Sequence, residues 1–190
     1  MEKARFDELN KQLPTNLRIR LDRIKRYLSQ NMASVMVGAG FSLNAKKLNP
    51  TSSMKSWNGL VGSFWELLHP GEPKKFDFIT PMHLASQIEA LSGRTELDQQ
   101  IANSLPDNDL VPGDLHIALM KLPWKDVFTT NYDRLLERAG EMTDRKYNLV
   151  TNKATLMYTL SPRIIKLHGN FPDITPYIMT EDDFRTYPDK

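Results

Sequence analysis

Ala33-Ser34-Val35-Met36-Val37-Gly38-Ala39-Gly40-Phe41-Ser42 is the stretch that decides the fold. A short apolar run that enters two closely spaced glycines reads as a buried parallel strand ending in a tight turn. A strand covered on both faces loses the usual alternation of polar and apolar residues. Gly38 and Gly40 let the backbone approach a ligand with no Cβ in the way, and Ser42 can donate a hydrogen bond to a phosphate oxygen brought there. The plain structural account is a glycine turn after a buried strand. The full G-x-G-x-x-G spacing of a dinucleotide fingerprint is absent.

Further along, Asp126-Val127-Phe128-Thr129-Thr130 predicts a strand and Tyr132 to Ala139 a helix, with Gly140 as its C′ stop. Asn131 is a favoured N-cap and Asp133 suits a first helical turn, so capping alone accounts for both. The functional account adds that Asn131 and Asp133 leave the strand end toward the crevice that holds Gly38 to Ser42. Tyr147 to Thr151 predicts another strand, and so does Arg163-Ile164-Ile165-Lys166-Leu167, which breaks at His168-Gly169. His168 thus stands at a strand end beside a permissive glycine, although a single histidine taken alone favours a structural role. His69, His83 and His116 lie on predicted helices with no convergent partners. The four histidines show no metal-ligand spacing. Each motif falls at the C-terminal end of a predicted strand, so one parallel sheet gathers them on one edge.

The intervening chain is helical. Ser56 can cap Trp57 to Leu68, Thr80 and Pro81 start His83 to Leu91, and Thr95 to Leu105 and Pro112 to Leu122 complete a helical insertion over 57–122. The polar stretch Leu43 to Ser56 has no period and reads as a loop able to cover a ligand. Asn152 to Leu160 predicts a short helix, and Thr180 with Glu181, Asp182 and Asp183 opens a last one near Phe184. At the N-terminus, helices over Ala4 to Leu13 and Leu17 to Gln30 flank Pro14-Thr15-Asn16. In the second, Arg18, Arg20, Arg23, Lys25 and Arg26 alternate with apolar residues as the solvated face of an amphipathic helix. The expected fold class is α/β, a partial Rossmann-like parallel sheet over 33–190 carrying the insertion, preceded by N-terminal helices over 1–32.

Composition bounds the function. The 190 residues are 40% hydrophobic and 25% charged, with mean hydropathy -0.47, the profile of a soluble globular chain. Lys and Arg number 25 against 23 Asp and Glu, and the net charge of +2 gives no field that argues for nucleic acid. Cysteine is absent, which excludes disulfides, a cysteine nucleophile and any zinc site built on thiolates. Met1 to Asn16 has no apolar segment of the secretory or membrane-anchoring kind, and the simplest inference is a cytoplasmic protein.

Taken together and in this order, Gly38-Ala39-Gly40-Phe41-Ser42, Thr129-Thr130-Asn131-Tyr132-Asp133 and His168-Gly169 resemble the sirtuin superfamily. Ser161-Pro162, the run Leu167 to Phe171, and Tyr177 to Phe184 more closely resemble the bacterial branch found at the N-terminus of antiphage defence proteins. The resemblance implies a cofactor site of Gly38, Ala39, Gly40, Phe41, Ser42, Thr130, Asn131, Asp133 and His168. In it the glycine turn meets the NAD phosphates and neighbouring ribose, and Asn131 and Asp133 face the nicotinamide ribose. Asn131 and His168 are the catalytic pair. Deacylases of this superfamily continue into a GIPDFR-type segment and carry a four-cysteine zinc module, whereas Ser42 here leads into Leu43-Asn44-Ala45-Lys46-Lys47. The implied activity is therefore hydrolysis of NAD to nicotinamide and ADP-ribose, with no zinc. The alternatives are protein deacylation, ADP-ribosyl transfer, and a non-catalytic module that senses NAD or ADP-ribose or oligomerises. Related domains also continue into further strands that hold the adenosine side. The expectation is thus an N-terminal piece of a longer protein, with self-assembly or an activating partner acting through regions beyond Lys190, and no nucleic-acid or membrane binding.

Overall fold

The computed structural model of the chain describes residues 8, 11–52, 54–74, 79–170 and 177–187. Helix α1 (Thr15–Ser29) precedes β1 (Ser34–Val37), which runs into the single turn α2 (Ala39–Ser42) and the two-residue strand β2 (Lys46–Lys47). The helices α3 (Trp57–Leu68), α4 (Pro81–Ser92) and α5 (Arg94–Ser104) follow, then β3 (Leu110–Val111) and α6 (Asp114–Lys121). Next come β4 (Asp126–Thr129), α7 (Leu135–Glu141), β5 (Asn148–Val150), α8 (Lys153–Leu156), β6 (Arg163–Lys166) and α9 (Glu181–Thr186).

Four strands form one parallel sheet in the order β1-β4-β6-β5, the architecture expected of a Rossmann-like α/β domain. The register aligns the C-terminal ends, with Val37 opposite Thr129 and Thr129 opposite Lys166. Gly38, Thr130 and Leu167 are therefore the first residues past three neighbouring strands. Asn131 and His168 each lie two residues past an aligned end, which puts the motifs at one edge of the sheet.

Two cores hold this arrangement. Val37, Val127, Ile164, Met120, Leu136 and Trp124 pack beneath the sheet. Phe64, Leu84, Ile88, Leu97 and Ile101 form a second cluster inside the insertion, joined by Tyr132, Tyr177 and Met179 from outside it. Full burial of such a side chain stabilises by about 1.5–3 kcal/mol, so the insertion is a packed body and not a loose excursion from the sheet. Its helices start where side chains satisfy free amides. Ser56 Oγ accepts from Gly59 N–H, and Thr80 Oγ1 accepts from His83 N–H with Pro81 at the first helical position. Thr180 and Asp183 form a reciprocal capping box on α9.

Several expectations need correction. The helix expected over Tyr132 to Ala139 runs from Leu135 to Glu141 instead. Asn131 does not cap it; Asp133 Oδ1 accepts the Leu135 N–H at 3.1 Å, and residues 130–134 before the helix have no regular secondary structure. Gly140 lies inside the last turn of α7, without a positive φ, where an added Cβ would touch Met120 and Tyr147 at 3.6 Å. The stretch Leu43 to Ser56 is anchored, since β2 pairs antiparallel with β3 and Ser52 Oγ donates to Asp109 at 2.6 Å, while Met54, Lys55 and Ser56 at its end line a cavity. Gly113 allows that close approach, because a Cβ there would lie 1.9 Å from the Asn44 carbonyl oxygen. The insertion, expected to be all-helical, thus contains a strand and a 3-10 turn at Asp107–Asp109. The helix expected over Asn152 to Leu160 is confined to Lys153–Leu156, started by Asn152 Oδ1 accepting from Thr155 N–H. Helix α1 begins at Thr15, after Pro14. It buries none of its residues, and Leu17, Ile19, Ile24 and Tyr27 on its apolar face are exposed. Most of the helix expected over Ala4 to Leu13 lies outside the described residues.

Arg94, at the start of α5, fastens the insertion to the segment that leads into α9. Its guanidinium donates to Asp183 at 3.0 Å, to Glu89 at 3.2 Å and to the Tyr177 carbonyl at 3.1 Å, and lies 4.3 Å from the Tyr177 ring centroid. Asp183 Oδ2 also accepts the amides of Met179 and Thr180 at 3.1 Å. Burial alone raises the Asp183 pKa, but the Thr180 and Met179 amides and Arg94 outweigh it and hold the carboxyl down to about 2, so the clamp is charged at neutral pH. Arg94→Met is expected to cost about 2 kcal/mol of stability and to lose hydrogen-exchange protection at Met179 and Thr180. Unchanged protection at those amides would show that Arg94 is a surface ornament.

Candidate active site

The carboxyl ends of β1 and β4 open onto a cavity of about 240 Å³. Gly38, Ala39, Ser42, Thr130, Asn131 and Asp133 make its polar wall, and Trp57, Leu60, Ile101, Leu105 and Met179 an apolar one, with Met54 and Lys55 between. The volume lies below the range of about 300–1,000 Å³ usual for a whole drug-sized ligand, so the cavity has room for part of such a ligand. Sequence reasoning identified the polar wall. It missed the apolar wall, because the spacing of Leu60, Ile101 and Leu105 along helices looks the same whether a residue faces a core or a cavity.

Three restraints fix the loop between β4 and α7. The Tyr132 side chain enters the insertion core and its hydroxyl donates to the Ile178 carbonyl. Thr129 Oγ1 accepts the Asn131 N–H at 3.0 Å. Lys166, at the end of β6 and buried, grips the loop from below. Its ammonium donates to the carbonyls of Tyr132 (3.0 Å) and Asp133 (2.6 Å), to Glu137 Oε1 (3.0 Å) and to Asn170 Oδ1 (2.6 Å). Burial pushes the Glu137 carboxyl up against the opposing pull of Lys166. Lys166 and Glu137 carried a signal that sequence reasoning passed over, a lysine inside an otherwise apolar strand with an acidic residue on the next helix.

The side chains above this loop form a chain. Asn131 Nδ2 donates to Ser42 Oγ at 2.8 Å and to the Gly38 carbonyl at 3.2 Å, while Ser42 Oγ donates to Asp133 Oδ2 at 2.6 Å. In the structure the single Ser42 proton is held by Asp133. Asn131 Oδ1 is buried with no partner among the described residues. Neither conformation nor packing demands glycine at Gly38, whose φ of -112° suits any residue and whose added Cβ would meet nothing within 4 Å. The open space there is what a closely approaching ligand needs.

Gly40 and Phe41 do not line the described cavity; the Phe41 ring packs on the sheet core and meets the His116 ring at 4.8 Å. His168 is not in its wall either. The His168 ring lies edge-on to Phe184 at 5.2 Å and Tyr187 at 6.0 Å, and its Nδ1 is buried with no partner among the described residues. Burial lowers its pKa below 6.5, so the ring is neutral at neutral pH. Two histidines expected to lack partners have them. Buried His116 takes the Gly113 N–H on Nδ1 at 3.2 Å, with burial lowering its pKa against the pull of Asp133. His83 joins α4 to α9 through Glu181 at 3.3 Å. Among the described residues no group of three His, Asp or Glu could hold a metal ion, and no helix is long and apolar enough to cross a membrane.

A parallel sheet with a glycine turn after one strand, an Asn-x-Asp loop after its neighbour and a His-Gly step after the third is the arrangement that the resemblance to sirtuins implied. Residues 125–190 match the family model described as a SIR2-like domain. Across most of its length the chain is similar to curated proteins named NAD(+) hydrolase ThsA. That of Acinetobacter baumannii (strain 532279) is 28% identical over 179 residues, covering 90% of this chain and 34% of the relative. That of Enterococcus faecium is 24% identical over 178 residues, 90% of this chain and 35% of the relative. That of Bacillus cereus (strain MSX-D12) is 26% identical over 172 residues, 87% of this chain and 33% of the relative. The chain spans about a third of the length of the curated relatives it matches.

Proposed function

We propose that this site hydrolyses NAD to nicotinamide and ADP-ribose. The observation that carries the reading is the pairing of an unpartnered, buried Asn131 Oδ1 with a glycine turn whose lack of side chains answers to nothing inside the protein. The names of the similar curated proteins support it. In the reaction the bond from ribose C1′ to the pyridinium nitrogen breaks, and its electron pair neutralises the ring as nicotinamide leaves. Water then bonds to C1′ and loses a proton. Asn131 Oδ1 accepts a hydrogen bond from the ribose or from that water and so orients it. His168 takes the proton. Since its ring stands outside the described cavity wall, the transfer runs through a ribose hydroxyl or a bridging water.

The test is nicotinamide release by the full-length protein, read by chromatography. His168→Ala is expected to lower kcat by about 100-fold or more with the circular dichroism spectrum unchanged. Because burial lowers the His168 pKa below 6.5, the midpoint of the acid limb of kcat/KM is expected below that pH, with activity rising toward a plateau at neutrality. Full turnover in His168→Ala would sink the catalytic assignment. Release that depends on an acyl-lysine peptide would indicate deacylation instead, and NAD binding without product a sensing module. A cytoplasmic setting, self-assembly and a role in antiphage defence belong to the same proposal. Light scattering and a phage-plating assay test the last two.

A further inference from the structure

Ser42, Asn131 and Asp133 are 2%, 6% and 7% exposed, and the hydrogen bonds between them can run in only one direction. The Gly38 carbonyl has no proton to give, so the Asn131 group facing it at 3.2 Å is the nitrogen Nδ2. Nδ2 also lies 2.8 Å from Ser42 Oγ and donates to it. With that lone pair engaged, the Ser42 proton goes to Asp133 Oδ2 at 2.6 Å, a length usual for a hydroxyl bound to a carboxylate. Asp133 Oδ1 is tied in turn to the Leu135 N–H at 3.1 Å, which anchors the relay to the backbone of α7.

We infer that Ser42 and Asp133 are positioning residues that set the orientation of the Asn131 amide, so that the cavity wall presents an acceptor and takes a hydrogen-bond donor, a hydroxyl or a water. A phosphate oxygen, which only accepts, is repelled from this wall by Asn131 Oδ1 and the Asp133 carboxylate. The identity of the donor as ribose or the attacking water rests on the hydrolase reading. The polarity of the relay stands on the geometry alone.

Asp133→Asn is the sharp test of polarity. The aspartate accepts from both Ser42 and Leu135, and a carboxamide has one oxygen for the two of them. Its NH2 must then face one donor, and the Asn131 amide keeps the Gly38 carbonyl as its only firm anchor. In the full-length protein, Asp133→Asn and Ser42→Ala are expected to lower kcat for nicotinamide release about 10- to 100-fold and to leave KM for NAD within about threefold. Ser42→Cys, which keeps a donor in place, is expected to recover part of the kcat lost in Ser42→Ala. An independent readout is the Asn131 side-chain amide in a nitrogen-15 spectrum. Its protons exchange slowly in the wild type and at least about tenfold faster in Ser42→Ala. A raised KM with kcat intact would make Ser42 a ligand contact and overturn the inference, as would unchanged amide exchange. An inactive wild type whose Asn131 amide still depends on Ser42 would discard the hydrolase reading and keep the relay.

Discussion

Asn131→Ala is expected to lower kcat for NAD hydrolysis by about 100- to 1,000-fold, the loss seen when one preorganised polar group facing a developing charge is removed. The side chain is held at Nδ2 by the Gly38 carbonyl and Ser42, its backbone N–H is held by Thr129 Oγ1, and Oδ1 has no partner among the described residues. Truncation removes the orienting acceptor and frees the Ser42 lone pair, while the backbone restraints from Tyr132 and Lys166 persist. The fold is thus expected to survive, with a thermal midpoint within a few degrees of wild type. Nicotinamide release, measured with saturating NAD, separates this outcome from a binding defect, because a lost ground-state contact appears in KM and a lost transition-state contact in kcat. Turnover within threefold of wild type would remove Asn131 from the mechanism.

Lys166→Met is expected to be the most destabilising single change in the site, at about 3–5 kcal/mol, because it leaves the buried Glu137 carboxylate without its cation. The Lys166 side chain is fully buried and that of Glu137 nearly so, and four acceptors share the ammonium. For a domain of this size the loss corresponds to a fall in Tm on the order of 10 °C. Adding Glu137→Leu to Lys166→Met is expected to restore part of the stability, since a buried ion pair replaced by apolar groups is often close to neutral. The carbonyls of Tyr132 and Asp133 would still lack donors, so recovery is expected to be incomplete. Urea denaturation of the single and double variants measures both effects. A loss under about 1 kcal/mol in Lys166→Met would mean that water reaches the Lys166 site.

Local patterns in the chain were sufficient for the parallel sheet and for the strand ends that carry Gly38, Asn131 and His168. An unbroken apolar run predicts a strand covered on both faces, which holds for β4 and β6, whereas β1 lies at the edge of the described sheet with Met36 exposed. Glycine, asparagine and histidine just past such runs mark where the backbone leaves the sheet. Helix starts at Ser56, Thr80 and Thr180 were legible for the same reason, since a cap is a contact between residues three apart. The cysteine count bounded the chemistry with no structure at all.

What the tertiary structure decided concerns contacts between residues far apart in the chain. Ser42 and Asp133 are 91 residues apart in sequence, and their bond puts Ser42 in the middle of a relay. The late start of α7 has the same origin, because the Lys166 ammonium ties up the carbonyls of Tyr132 and Asp133 where local propensity favours a helix. The pairing of β2 with β3, the apolar wall supplied by α3 and α5, and the seat of His168 against Phe184 and Tyr187 are equally nonlocal. The chain alone determined which groups reach the sheet edge. Only packing and hydrogen bonding across the fold determined which of their atoms remain free to meet a ligand, because a donor or acceptor already engaged by a distant neighbour is no longer available.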